Sequence, residues 1–212
     1  MATELILYTN PQSRGRIARW MLEEIGEPYR TEVLDYTVAM KAPDYLAINP
    51  MGKVPALRHG AMIVTETAAI CTYLADAFPK AHLAPPPGDT RRGPYYRWLF
   101  FAAGPLEAAV SNQALGIMVP PERERMIGYG NITQVMSALE TAVSDSEYLA
   151  GHDFTAADLY VGSHLGFGMM FGTIPKRPAF ERYWQRVSAR PACKRAKELD
   201  DALVAQQQQG RG

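Results

Sequence analysis

The sequence predicts a small mixed α/β domain followed by an all-α domain. Three observations carry this. Before residue 83, short apolar runs of strand type alternate with two segments of helical period. Pro79, Pro85, Pro86, Pro87 and Pro94 then crowd into one stretch, as a semi-rigid connection requires. Beyond that stretch every periodic segment has helical spacing. The division is therefore a first domain at 1–82, a linker at 83–90 and a helical domain at 91–212.

In chain order, "ELILY" (4–8) is a compact apolar strand, and "NPQS" turns the chain. From Arg14, the spacing of Ile17, Trp20, Met21 and Ile25 predicts a helix that stops at Gly26. "PYRTEVLD" sets Tyr29, Thr31 and Val33 on one face of a second strand, with Tyr8 of the first strand expected in the core. Residues 37–49 are irregular apart from a short helical piece near "APDYLAI". "VPALRHGAMIVT" reads as two strands joined through "HG", and a helix follows from Glu66 to Pro79. In the second half, helices are expected from Tyr95 to about Leu115 and from Glu122 to Val143. Another follows "GHDFTAADLYVG", where Thr155 and Asp158 form a capping box, and two more lie in "PAFERYWQRVSA" and "PACKRAKELDDALVA". The tail "QQQQGRG" has nothing to bury and is expected to fray.

Composition narrows the function. Of 212 residues, 47% are apolar and 21% charged, which suits a globular chain. Lys plus Arg (22) equals Asp plus Glu (22), so no basic surplus points to nucleic acid or to an anionic membrane. No run of about 18 apolar residues and no signal-type leader is present, so a soluble intracellular protein is expected. Cys71 and Cys193 form no C-x-x-C, and the four histidines lack ligand spacing, so neither a dithiol site nor a metal site is expected.

Four motifs occur in order: "NPMGKVPAL", "TETAAICTYLAD", "GHDFTAADLYVG" and "RPACKRA". With the α/β-then-helical organisation, they make nearly the whole chain resemble a cytosolic, bacterial-type glutathione transferase. The resemblance implies a thioredoxin-like first domain, glutathione as co-substrate, no metal, a cytoplasmic homodimer and a role in detoxification. It also accounts for a proline inside an apolar strand signal, a residue that cannot donate to a sheet ladder. In the family Pro55 is cis, and Val54 pairs its N–H and C=O with the cysteinyl backbone of glutathione. Without the family, Pro55 reads equally well as the end of an edge strand.

The resemblance implies further that Glu66 faces the ammonium of the γ-glutamyl group and that Thr67 donates to its carboxylate at a helix N-terminus. The residues alone read as ordinary helix capping. Lys53, and with less support Lys41, are the candidates for the glycine end; Asn49 and Tyr45 are weaker. A thiol of pKa about 8.5 needs a donor to become a thiolate at neutral pH. The turn "YTNPQSRGR" offers Ser13 first and Asn10 second, with Asn10 in the slot of the family's usual tyrosine or serine; Arg14 and Arg16 could add positive field or pair with acidic residues elsewhere. Tyr95, Trp98, Phe101, Gly104 and Met118 are candidate walls for the second substrate, which the family holds between its domains. "GFGMMFG" (166–172) reads as close helix packing, or as part of that pocket.

The function so implied is conjugation of the glutathione thiolate to a small hydrophobic electrophile. Two other classes remain open at this point. One is glutathione-dependent disulfide or peroxide reduction or isomerisation. The other is a non-enzymatic, protein-binding member of the fold.

Overall fold

A computed structural model describes residues 3–209. The chain forms two compact units, one running to His82 and resumed from Ala189, the other spanning Leu83–Ser188. The break at 82/83 coincides with the proline-dense stretch. The C-terminal helix, placed by its sequence position in the helical region 91–212, belongs to the first unit, where it packs on the helix Gly15–Ile25.

The first unit is built on a four-stranded sheet of β1 (Leu5–Thr9), β2 (Tyr29–Val33), β3 (Ala56–His59) and β4 (Met62–Thr65). Its order is β2-β1-β3-β4, with β1 parallel to β2 and antiparallel to β3, and β4 antiparallel to β3. Every residue of β1 is buried, which is why its sequence is continuously apolar rather than alternating. Ile6 and Tyr8 project to one face and meet Met40, Tyr45 and Ala56, with Leu34, Ile48 and Val54 packed around them. Tyr8 thus lies in the core as expected, its ring 5.8 Å from that of Tyr45. Helices α1 (Gly15–Ile25) and α3 (Thr67–Ala77) pack on one another and on the sheet. Gly26 closes α1 in the left-handed conformation, φ 71°, as its place after Ile25 predicts. The hairpin turn falls on Gly60–Ala61, one residue later than "HG", because His59 pairs with Met62.

The loop after β2 is locally ordered. The Asp35 carboxylate accepts hydrogen bonds from the backbone N–H groups of Thr37, Val38 and Ala39 and from the Thr37 hydroxyl. A single 3₁₀ turn at Ala39–Lys41 and the short α2 (Pro43–Leu46) follow, the latter matching the helical piece expected there.

The second unit comprises α4 (Arg92–Phe101), α5 (Glu107–Ala114), α6 (Ile132–Asp145), α7 (Ala156–Phe171) and α8 (Pro178–Ser188). The helix expected from Tyr95 to Leu115 is interrupted by a π turn at Ala102–Leu106 around Pro105, whose missing N–H breaks the regular bonding. The helix expected from Glu122 begins instead at Ile132, where the Asn131 side chain accepts from Gln134 N–H at 2.9 Å; residues 121–126 form a 3₁₀ turn ahead of Gly128 and Gly130.

Buried nearly all round, α7 is a central core helix. A Cβ at Gly162 would meet Val187, and one at Gly166 the Trp184 ring, so these glycines let α8 approach closely. Of the glycines in "GFGMMFG", Gly166 and Gly168 serve packing, the latter against Ile174, and Gly172 closes α7 in the left-handed conformation. The capping box at Thr155–Asp158 is present. Asp158 is fully buried and accepts from Leu149 N–H, Thr155 N–H, the Thr155 hydroxyl and the Tyr183 hydroxyl, tying two helices and a loop together. Burial nevertheless pushes its carboxyl upward against those four bonds.

The last helix, α9 (Pro191–Gln209), carries Gln206–Gln209 in helical form, where fraying was expected; the rest of that tail lies outside the described residues. It is joined to α1 by ion pairs. Arg19 and Asp200 meet at 2.9 Å with side chains 3% and 0% exposed. Arg19 also donates to the Tyr29 and Thr31 hydroxyls at 3.2 Å. Arg16–Asp201, Arg190–Glu24 and Arg195–Glu23 flank this centre.

Replacing Arg19 by Met strands a buried carboxylate, at an expected cost of about 3–5 kcal/mol, whereas Arg19→Met with Asp200→Leu should recover most of the loss. Urea unfolding of the two variants checks this. Asp35 supports a second expectation. The three backbone N–H groups, Val38 and Ala39 foremost, and the Thr37 hydroxyl lower its pKa from 3.8 to about 2. A depressed folded-state value means that its support of the loop is complete above pH 3.8 and fades as pH falls toward 2. Carboxyl titration by NMR, followed with the amides of Thr37–Ala39, should show that order.

Candidate functional site

The sheet register gathers the candidate residues of the first unit at one end. Tyr8 of β1 lies opposite Ala56 of β3, and Ala56 opposite Thr65 of β4. The turn after β1, the Val54–Pro55 step before β3 and the Glu66–Thr67 step after β4 therefore stand side by side. Strand spacing of about 4.8 Å puts the outer two about 10 Å apart, a span that a tripeptide covers. Thr9 of β1 pairs with Val33 of β2, so the loop bearing Tyr36 and Lys41 leaves from the same end.

The Val54–Pro55 peptide bond is cis. The Lys53 carbonyl is fixed by the Tyr45 hydroxyl and by Asn49 Nδ2, both at 2.7 Å. Tyr45 and Asn49 are thus supports of this step, which accounts for their burial. Val54 itself, two residues before β3, has no backbone hydrogen-bond partner among the described residues. Lys53 is exposed, and Lys41 Nζ donates to Gly52 O at 2.8 Å, so the Lys41 ammonium lies on this step. Gly52 has φ 56°, and a Cβ there would press on the Met40 carbonyl and Lys41 Nζ, so glycine is required where "MGKV" turns.

The start of α3 decides between capping and binding. Glu66 is the N-cap: its carbonyl accepts from Ile70 N–H at 2.9 Å. No side chain caps this helix. Glu66 has φ 65° and ψ 120°, an unusual conformation for a residue with a Cβ. Its side chain is exposed, while Thr67 is buried in the first turn. The plain capping reading fails here. Among the described residues no side chain takes the first N–H groups of this terminus, which is the positive end of the helix dipole.

The turn after β1 is compact. Asn10 is buried, donates through Nδ2 to Leu34 O at 2.8 Å and accepts at Oδ1 from Gln12 N–H at 3.0 Å. Its side chain clamps the turn to the end of β2. Ser13, half-buried, accepts at Oγ from Gly15 N–H at 2.9 Å and donates its hydroxyl to Asn10 O at 2.7 Å. The same carbonyl also accepts Ser13 N–H at 3.1 Å. A Cβ on Gly15 would collide with Thr9 Oγ1, so "SRGR" brings α1 directly onto the end of β1. Arg16 is committed to Pro11 O and Asp201. Tyr36 belongs to this turn as well: its hydroxyl donates to Gln12 O at 3.1 Å. Sequence reading passed over it, although the Asp-x-Thr pattern beside it marks an ordered turn.

The residues expected to wall the second substrate lie in the second unit and differ in burial. Tyr95 and Trp98 of α4, a helix that packs on α7, are buried, so they are core residues. Phe101 is half-buried edge-on to Trp98 at 5.2 Å, and Met118 is 89% exposed. Helical spacing did not reveal which side of α4 faces inward, and Phe100 is the aromatic it leaves outside. Among the described residues no cluster of His, Cys, Asp and Glu could hold a metal, and no helix is long and apolar enough to cross a membrane.

Comparison with known proteins agrees with this geometry. The family model for the glutathione S-transferase N-terminal domain matches residues 14–77, and that for the C-terminal domain matches 106–191. Glutathione S-transferase F10 of Arabidopsis thaliana is 31% identical over 207 residues, covering 90% of this chain and 94% of its own. Glutathione S-transferase GstA of Escherichia coli O157:H7 is 28% identical over 204 residues, covering 94% and 98%. The crystal structure of glutathione transferase URE2P6 from Phanerochaete chrysosporium, in complex with oxidized glutathione, superposes with a TM-score of 0.77 at 28% identity, covering 94% of this chain and 97% of its own. This chain belongs to the glutathione S-transferase family.

Proposed function

We propose that the protein binds glutathione at the strand ends of its first unit and transfers the glutathione thiolate to a small hydrophobic electrophile. The observation that carries the reading is the start of α3: a helix N-terminus without a side-chain cap, next to a residue held at positive φ and at the same end of the sheet as the Val54–Pro55 step. α6 and α7 carry side-chain caps, while α1, α4 and α5, like α3, do not; among the described helices α3 alone joins an uncapped start to an N-cap residue at positive φ.

In this reading the γ-glutamyl carboxylate takes the first N–H groups of α3 and the Thr67 hydroxyl. Glu66 faces the γ-glutamyl ammonium. The cysteinyl N–H and C=O pair with Val54 beside Pro55, like one more strand. Lys53 and Lys41 supply positive charge for the glycine carboxylate. The sulfur then falls toward the turn after β1. Ser13 is the favoured donor there, because its hydroxyl can leave Asn10 O while Ser13 N–H keeps that carbonyl paired. Asn10 could not swing without releasing Leu34.

The thiolate attacks the electrophilic carbon. A C–S bond forms, the leaving group departs with its electron pair, and the thiol proton passes to solvent. Proximity and thiolate stabilisation supply the rate. The protein's own thiols are poorly suited to disulfide chemistry: burial pushes Cys71 up to about 12 and Cys193 to about 11. The family resemblance is what supports a cytoplasmic homodimer acting in detoxification.

Calorimetric titration with glutathione tests the binding site. Thr67→Ala removes a hydrogen bond to a charged group, so Kd should rise about 10- to 100-fold. Absence of saturable binding to the folded wild type would defeat the reading. Activity against a panel of electrophiles separates the two turn residues. Ser13→Ala should lower kcat/KM about tenfold or more through a raised thiol pKa, with folding intact. Asn10→Ala should chiefly lower the unfolding midpoint.

A further inference from the structure

Two hydroxyls, not one, stand at the turn after β1. The Tyr36 side chain is 52% exposed, yet its oxygen is directed back to the protein, where it donates to the carbonyl of Gln12, the residue before Ser13. A half-exposed tyrosine loses rotamer freedom to be held in this way. The loop beneath it is fixed from three sides. Asp35 accepts its four hydrogen bonds, Leu34 N–H donates to Thr9 O at 2.8 Å, and Asn10 Nδ2 donates to Leu34 O. The phenol is therefore presented to the turn by a preorganised support.

Ser13 Oγ accepts from Gly15 N–H and has room in its bonding for one further donor. When the Ser13 hydroxyl turns to an anion, that second donor would polarise it. Gln12 is exposed, so its carbonyl can exchange the phenol for water. We propose that Tyr36 is a positioning residue for thiol activation: as Ser13 donates to the glutathione sulfur, the Tyr36 hydroxyl moves its hydrogen bond from Gln12 O to Ser13 Oγ, and this chain of two hydroxyls stabilises the thiolate. The inference rests on the glutathione reading above and adds a residue to it. Burial holds the phenol pKa above 10, against the nearby Arg14 guanidinium and Ser13, so the group remains a donor across the neutral range.

The test follows thiolate absorbance of bound glutathione against pH in wild type, Tyr36→Phe, Ser13→Ala and the double variant, with Kd and unfolding midpoint measured on each. Tyr36→Phe should lower the thiolate fraction at neutral pH about three- to tenfold with less than about threefold change in Kd, and it should add nothing in the Ser13→Ala background. A wild-type thiolate titration in Tyr36→Phe overturns the proposal, including when the unfolding midpoint drops, which would assign Tyr36 to the loop's structure alone. An equal loss in the Ser13→Ala background also overturns it, since the phenol would then act without Ser13. If the wild type binds no glutathione, both this inference and the reading beneath it fall. If it binds and ionises glutathione regardless of Tyr36, only this one does.

Discussion

The pairing of β3 with β1 is the constraint on which the candidate site depends. β3 runs antiparallel, with Ala56 opposite Tyr8, so the chain enters the sheet where β1 leaves it. β4 returns to the same end. Three chain steps far apart in sequence then line one edge: a turn with hydroxyls, the Val54–Pro55 step and a helix start. A one-residue slip of β3 would turn Ala56 out of the core face and carry the Val54–Pro55 step out of line with the other two. The buried contacts of Ile6, Tyr8 and Ala56 with Met40 and Tyr45 oppose that slip, and so the core of the unit also sets the geometry of its working end.

The same polar groups recur as supports. Tyr45 and Asn49 hold the Lys53 carbonyl, Asn10 holds Leu34, and Asp35 holds the loop that carries Tyr36. Each is engaged through buried or locally ordered bonds and leaves little to offer a ligand. The groups left available are the Val54 backbone, the Ser13 hydroxyl and the α3 terminus. Rigid supports beneath a few adaptable contacts are what binding a flexible tripeptide requires, since ordering the site beforehand lowers the entropic cost of association.

Much of this was legible in the sequence because it rests on local patterns. The apolar run of β1, the Gly26 stop, the proline-dense boundary and the Thr155–Asp158 box each follow from a few neighbouring residues. Motifs singled out Glu66–Thr67 and Val54–Pro55, which the register of β1, β3 and β4 brings to one end of the sheet. What was not legible depends on distant packing. Tyr95 and Trp98 share helical spacing with exposed neighbours, and only the seat of α4 on α7 shows that they face inward. Pro105 permitted a π turn where periodicity showed one helix. Tyr36 lies in a loop without period, and its role at the turn follows from the pairing of Thr9 with Val33.

The ion-paired seat of α9 on α1 has a consequence for how such a chain can be divided. Residues 191–209 lie far along the chain from the sheet, yet Asp200 sits among the buried groups of the first unit, beside Arg19 on the helix that follows the turn carrying Ser13. The sheet-bearing unit is thus discontinuous: it opens the chain and it closes the chain. Exchange of the first 82 residues between relatives would separate Arg19 from its carboxylate unless the terminal segment moved with it. A swap of the sheet-bearing unit therefore has to carry both segments that flank Leu83–Ser188.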